Sequence, residues 1–148
     1  MKFFSFSFLT TTTLLSLLTL STPVRAENPD HVQQLLMTGM CQNCDLSGAN
    51  LVGAHLIGVD LRGANLANAN FNEANLEGAD LTGADLTSTM LTNVVLDGAT
   101  LEYVDMADAQ FYHASVIGAS ILAVDITNAE VFGTGISIGG GAPPEFEF

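Results

Sequence analysis

From Cys44 to Ile138 the chain runs in fives without an insertion: CDLSG, ANLVG, AHLIG, VDLRG, ANLAN, ANFNE, ANLEG, ADLTG, ADLTS, TMLTN, VVLDG, ATLEY, VDMAD, AQFYH, ASVIG, ASILA, VDITN, AEVFG and TGISI. The third position of each unit is apolar throughout, and the first is Ala, Val, Thr or, once, Cys44. A period of five fits neither regular element. On a helix, whose face recurs near 3.6 residues, positions five apart would drift around the surface. On a strand, with a period of two, successive third positions would point to opposite faces. Only a chain that turns a corner in every unit keeps its first and third residues pointing the same way. The Asn, Asp, Gly, Ser and Thr at the second, fourth and fifth positions supply the turn chemistry and face water. An internal period of this kind outranks any local helix or strand assignment.

Units such as ANLEG at 74–78, ADLTG at 79–83 and ADLTS at 84–88 resemble the pentapeptide-repeat family, whose units follow A-(D/N)-L-x-x. The resemblance covers residues 44–138 and implies an all-β solenoid, a right-handed quadrilateral β-helix with four units per coil. Units such as TMLTN, VVLDG and TGISI depart from the pattern in their first two positions, which touches local turn type rather than the winding.

A twenty-residue coil sorts the third positions into four columns. One holds Leu46, Leu66, Leu86, Met106 and Ile126; the next holds Leu51, Phe71, Leu91, Phe111 and Val131. The third holds Leu56, Leu76, Leu96, Val116 and Ile136, and the fourth Leu61, Leu81, Leu101 and Ile121. Coils stack at about strand spacing, ~4.8 Å. Each buried centre then contributes about 1.5–3 kcal/mol. Ala at the first position is small because a larger side chain would crowd the bore, so Ala74→Leu, like Leu76→Asp, is expected to be disruptive.

Both ends of an open solenoid need covering. Residues 1–26 carry Lys2, an apolar run softened by Ser and Thr, and Val24-Arg25-Ala26, the pattern of a secretory signal peptide cleaved after Ala26. Removing that segment leaves Arg62 alone against sixteen Asp and Glu, a formal charge of −15. Such a chain repels nucleic acid and anionic membrane surfaces and favours cationic partners. Residues 27–43 form the N-terminal cap: Asn28-Pro29-Asp30 reads as a helix start, Val32, Leu35 and Leu36 as its apolar stripe, and Gly39 as its stop, which predicts a helix over 29–38. Residues 139–148, rich in Gly, Pro and Glu, form a tail, and the end of the coil before it offers a contact between two copies of the chain.

Several groups are candidates for chemistry. Cys41 and Cys44 form a C-x-x-C pair, a common redox signature. In the repeat frame Cys44 takes an inward first position and Cys41 an inward third position, so the favoured reading is a structural disulfide fastening the cap to the coil. Two Cys alone do not complete a four-ligand zinc site, and His31 would add at most a third ligand. Asp45, Asn65, Asp85, Asp105 and Asp125 stack as an acidic column that either shares Ca²⁺ or caps turn amides; the second reading is preferred. His31, His55 and His113 read as surface side chains. No nucleophile–base set, phosphate-binding Gly motif or basic patch is recognisable, and no cofactor is expected. Tyr103, Tyr112, Ile117, Leu122 and Phe132 fall at outward positions of the later coils, where they serve either a partner or the returning tail.

These readings converge on an exported, non-enzymatic scaffold or protein-interaction module in a periplasm or thylakoid lumen, a location the resemblance implies. Two rivals stay open. One is an acidic DNA mimic acting on an enzyme such as gyrase, as some family members do; the export signal argues against it. The other is a thiol–disulfide enzyme using Cys41 and Cys44, which insulin reduction would reveal.

Overall fold

The structure, a computed structural model, describes residues 28–134. The signal segment, Ile136 and the tail lie outside the described residues.

Parallel pairing between residues twenty apart defines the coil. Bridges join Met40 to Asp60, Asp45 to Asn65, Asn50 to Asn70 and His55 to Asn75, and the same offset continues down to Asp105 and Asp125. The hydrogen bonds follow from the unit. A second-position N–H donates to a first-position carbonyl of the coil before, as in Asn65 to Cys44 (2.8 Å). Third- and fifth-position N–H groups donate to the coil after, as in Leu46 to Asn65 (2.8 Å) and Gly48 to Ala67 (2.9 Å). The winding takes in one unit before Cys44: Cys41 N–H donates to Asp60, Asn43 to Arg62, and Asp60 back to Gly39. Gly39–Asn43 therefore belongs to the coil as well as to the cap, although GMCQN carries neither Ala nor Leu.

Every unit turns. The N–H of Ala49 donates to the carbonyl of Leu46 (3.0 Å), and the same bond recurs from Ala64 to Leu61 and from Ala109 to Met106. Each fifth-position residue from Gly48 to Gly133 has a positive φ, between 51° and 71°. A bond closed over that geometry has the φ signature of a type II turn. Gly suits it, yet Glu73, Tyr103, His113 and Ala123 adopt it too, at a cost of roughly 1–2 kcal/mol each for an L side chain.

The second position carries a recurrent side-chain bond. An Asn or Asp there accepts from the N–H two residues on: Asn70 from Asn72 (3.0 Å), Asp80 from Thr82 (3.0 Å), Asp85 from Thr87 (2.9 Å). This local bond competes with a strand ladder. The four three-residue strands all begin at second positions without it: β1 (Thr100–Glu102), β2 (Gln110–Tyr112), β3 (Ser120–Leu122) and β4 (Glu130–Phe132). His55, Met90, Val95 and Ser115, also neither Asn nor Asp, pair only as single bridges. β1 pairs with β3 and β2 with β4, both parallel.

The bore is apolar. Fifteen third-position centres, from Leu46 to Val116, are buried, together with most first-position Ala and Val residues. Ile121, Ile126 and Val131 are half-buried, because they lie in the last described coil.

Helix α1 spans Pro29–Thr38, with the Asn28 side chain accepting from Asp30 N–H (3.1 Å) and Gly39 closing it at φ 67°. Leu35 is buried and Val32 packs against the core. Leu36 is not part of that face: it is 57% exposed, beside exposed Met37. One helical step of 100° past Leu35 carries it off the face that meets the coil.

Candidate functional site

At the N-terminal end, Cys41 and Cys44 are joined by a disulfide, with Cα atoms 5.2 Å apart and both residues buried. A turn closes over the pair, in which the Cys44 N–H donates to the Cys41 carbonyl (3.2 Å). The Gln34 amide reaches from α1 to the Met40 carbonyl (2.8 Å).

His31 has a role that the repeat pattern does not reveal. Its Nδ1 accepts from the backbone N–H of Asp45 at 2.9 Å, and the residue is half-buried rather than solvated. A second-position N–H points toward the preceding coil, and α1 lies there instead; the imidazole stands in for the missing carbonyl. His31→Ala removes that acceptor and is expected to cost about 1–3 kcal/mol. Chemical denaturation would show a lower midpoint with faster amide exchange in residues 40–48, and His31→Asn would recover part of the loss.

Arg62 is the single Lys or Arg of the described residues. It clamps Asp60 through Nε (2.9 Å) and Nη2 (2.6 Å), with Asp80 Oδ2 3.6 Å from Nε, while the Gln42 amide also donates to Asp60. The Arg62 hydrogen bond holds the Asp60 carboxyl far below its ordinary 3.8, outweighing the opposing effect of burial. A carboxylate whose pKa falls on folding stabilises the fold above its unfolded value and loses that contribution as pH falls toward its folded value. Arg62→Gln should therefore weaken the protein at neutral pH, and the gap from wild type should shrink in denaturation midpoints measured from pH 5 down to pH 2. A gap independent of pH would contradict this.

The acidic column is occupied with turn bonds. Asp85, Asp105 and Asp125 each accept from an amide two residues on, at 2.9–3.0 Å. Asp45 accepts from Ser47 Oγ (2.7 Å) and from Asn65 Nδ2 of the next coil (3.2 Å). The Thr127 hydroxyl lowers the Asp125 carboxyl below its ordinary value. Among the described residues no group of three or more His, Cys, Asp and Glu is placed to hold a metal ion. His55 and His113 are both exposed, on different columns.

The outward apolar residues separate onto three edges of the coil. Tyr103 (63% exposed) and Leu122 (50%) share one edge, where the Tyr103 N–H donates to the Leu122 carbonyl (2.8 Å). Ile117 stands on another, below Asp97, whose Oδ1 accepts from Ile117 N–H (2.9 Å) and Ser115 Oγ (2.5 Å). Tyr112 and Phe132 pair in register on the third. Tyr112 is half-buried and donates its hydroxyl to Glu130, which raises the phenol above its ordinary pKa. Phe132 meets His113 edge-on instead, centroids 5.6 Å apart.

The family model for pentapeptide repeats matches residues 44–83 and 79–116, with eight copies. The chain belongs to the pentapeptide-repeat family. A pentapeptide-repeat protein of the Arabidopsis thaliana thylakoid lumen shares the fold, at 29% identity and a TM-score of 0.61, covering 68% of each chain. HetL, a pentapeptide-repeat protein involved in heterocyst differentiation regulation in the cyanobacterium Nostoc, is 24% identical over 68% of this chain and 65% of its own, with a TM-score of 0.41. No curated protein matches the chain.

Within the pentapeptide-repeat pattern, Asn72 and Asp97 hold the fold in a way the repeat consensus does not reveal. They are fourth-position Asx residues whose Oδ1 atoms cap Thr92 N–H and Ile117 N–H of the next coil (both 2.9 Å). Those units have Met90 and Ser115 where the repeat calls for Asn or Asp, so the cap comes from above. The signal was present as an Asx twenty residues before an amide that lacks its usual acceptor.

Proposed function

We propose that this pentapeptide-repeat chain is an exported, non-enzymatic scaffold that docks a protein partner on its outer surface. It leaves the cytoplasm by the Sec-type signal over residues 1–26 and works in a thylakoid lumen or periplasm as a right-handed quadrilateral β-helix. The observation that carries the reading is the distribution of apolar side chains. The repeat spends its first and third positions on the bore, yet Tyr103, Ile117, Leu122 and Phe132 stand at outward positions, each at least half exposed. Large exposed apolar groups on a regular surface mark contact sites. The Cys41–Cys44 disulfide suits an oxidising compartment, and the likeness to a thylakoid-lumen protein supports export. A thiol–disulfide enzyme is disfavoured, because catalysis needs an exposed thiolate and both sulfurs here are closed off in the core.

Fractionation of the native cells, followed by affinity capture with the folded mature chain, tests the proposal. The reading expects a cleaved protein in the lumen or periplasm and a reproducible stoichiometric partner. Uncleaved protein in the cytoplasm would overturn it and favour the DNA-mimic alternative.

A further inference from the structure

The geometry points to the Tyr103–Leu122 edge as a docking site for a cationic segment of another protein, with an Arg or Lys side chain over the Tyr103 ring and an apolar neighbour against Leu122. This rests on the scaffold reading and names the partner chemistry of its surface. Tyr103 takes a left-handed fifth position (φ 58°), where half of the units place Gly. Its ring returns nothing to the fold: it is 63% exposed, and its hydroxyl makes no hydrogen bond among the described residues. A strained residue held without structural gain is a sign of function. A full coil lies beneath it, with Ala123 in register below and Leu122, whose carbonyl takes the Tyr103 N–H, beside Ala123, so its exposure is not an effect of the end of the solenoid.

Charge complementarity selects the occupant. Glu102 precedes the ring on β1, and Asp105 and Asp125 follow the edge as a bridged pair. The Oδ1 atoms of Asp105 and Asp125 cap turns; their Oδ2 atoms make no bond among the described residues. Thirteen carboxylates between residues 28 and 134 face one guanidinium, and Asp60 and Asp80 on the coils above engage it. An exposed aromatic face flanked by carboxylates attracts a cation by both the ring quadrupole and Coulomb forces. A second copy of this chain would bring like charge to the edge, so a basic partner is the occupant.

The test titrates the folded chain with an amidated five-residue peptide of alternating Arg and Leu, and with the same peptide carrying neutral citrulline for Arg. Calorimetry gives affinity, and amide shifts locate binding. The proposal expects shifts centred on residues 102–105 and 122–125, at least tenfold weaker binding by Tyr103→Gly and by citrulline, and weakening with salt. Tyr112→Phe should bind like wild type. Tyr103→Gly should keep or raise Tm, since Gly relieves the left-handed strain, which separates lost docking from lost folding. Equal affinity for Tyr103→Gly, or equal binding of the citrulline peptide, would overturn the proposal. In native-compartment capture, a Tyr103→Gly/Leu122→Ser chain that keeps every partner of the wild type sinks this edge and leaves the scaffold reading standing. A wild-type chain that captures nothing sinks both.

Discussion

Leu76→Asp is expected to abolish cooperative folding. Leu76 is fully buried in the column between Leu56 and Leu96, its N–H donating to Val95 (2.7 Å) and its carbonyl accepting from Ala79 (3.0 Å). The backbone around it is already paired, so a carboxyl at this place meets only aliphatic neighbours. The substitution forfeits about 2–3 kcal/mol of apolar burial. Burying even the neutral acid without a partner adds roughly 2–7 kcal/mol. Against a typical stability of about 5–15 kcal/mol, that is enough to empty the folded state of a marginal solenoid. Far-ultraviolet circular dichroism should show no sigmoidal melt, while Glu77→Ala, one residue away and exposed, should melt like wild type. Ala74→Leu tests the same bore from its first position: Ala74 is fully buried, and overpacking there should cost about 1–3 kcal/mol.

Phe71→Ala is the second large effect. Phe71 is the bulkiest buried side chain of the upper coils, stacked between Leu51 and Leu91, and is fully buried. Truncation to Ala should cost about 3–5 kcal/mol, because coils pinned by hydrogen bonds on both sides cannot close the gap. For a domain of this size that corresponds to a fall in Tm of roughly 15 °C or more. A shift of only a few degrees would mean that the Phe71 ring is not in the bore.

The winding was legible because the repeat is strict where physics is strict. Leu46, Leu66 and Leu86 recur at twenty because only apolar groups tolerate the bore, and Ala64, Ala74 and Ala84 because only small ones fit beside them. Less legible were places where a side chain substitutes for the pattern. His31 looked like an exposed histidine on a helix, because its acceptor role arises only once α1 lies across the first coil and leaves Asp45 N–H without a carbonyl above it. Leu36 looked like part of the cap stripe, because spacing alone does not say which side of Leu35 meets the coil. The left-handed fifth position hid behind Glu73, Tyr103 and His113, residues that hardly suggest a positive φ, and the neighbouring hydrogen bonds force them into it. The outward aromatics were legible as a group, but their division among three edges follows from the stacking of the coils. Only the structure sets Tyr112 on Glu130, Phe132 on His113, and Tyr103 with its ring uncovered.

The central claim is that the chain winds at twenty residues per coil, which sets Tyr103 and Leu122 on one edge and fixes every outward column. Scalar couplings across backbone hydrogen bonds, measured by NMR on the labelled folded protein, test it most directly. The account predicts couplings from the Leu66, Leu86 and Met106 amides to the carbonyl carbons of Asp85, Asp105 and Asp125, and from Tyr103 to Leu122, each nineteen residues ahead. Couplings at any other offset from those amides, or none, would contradict it.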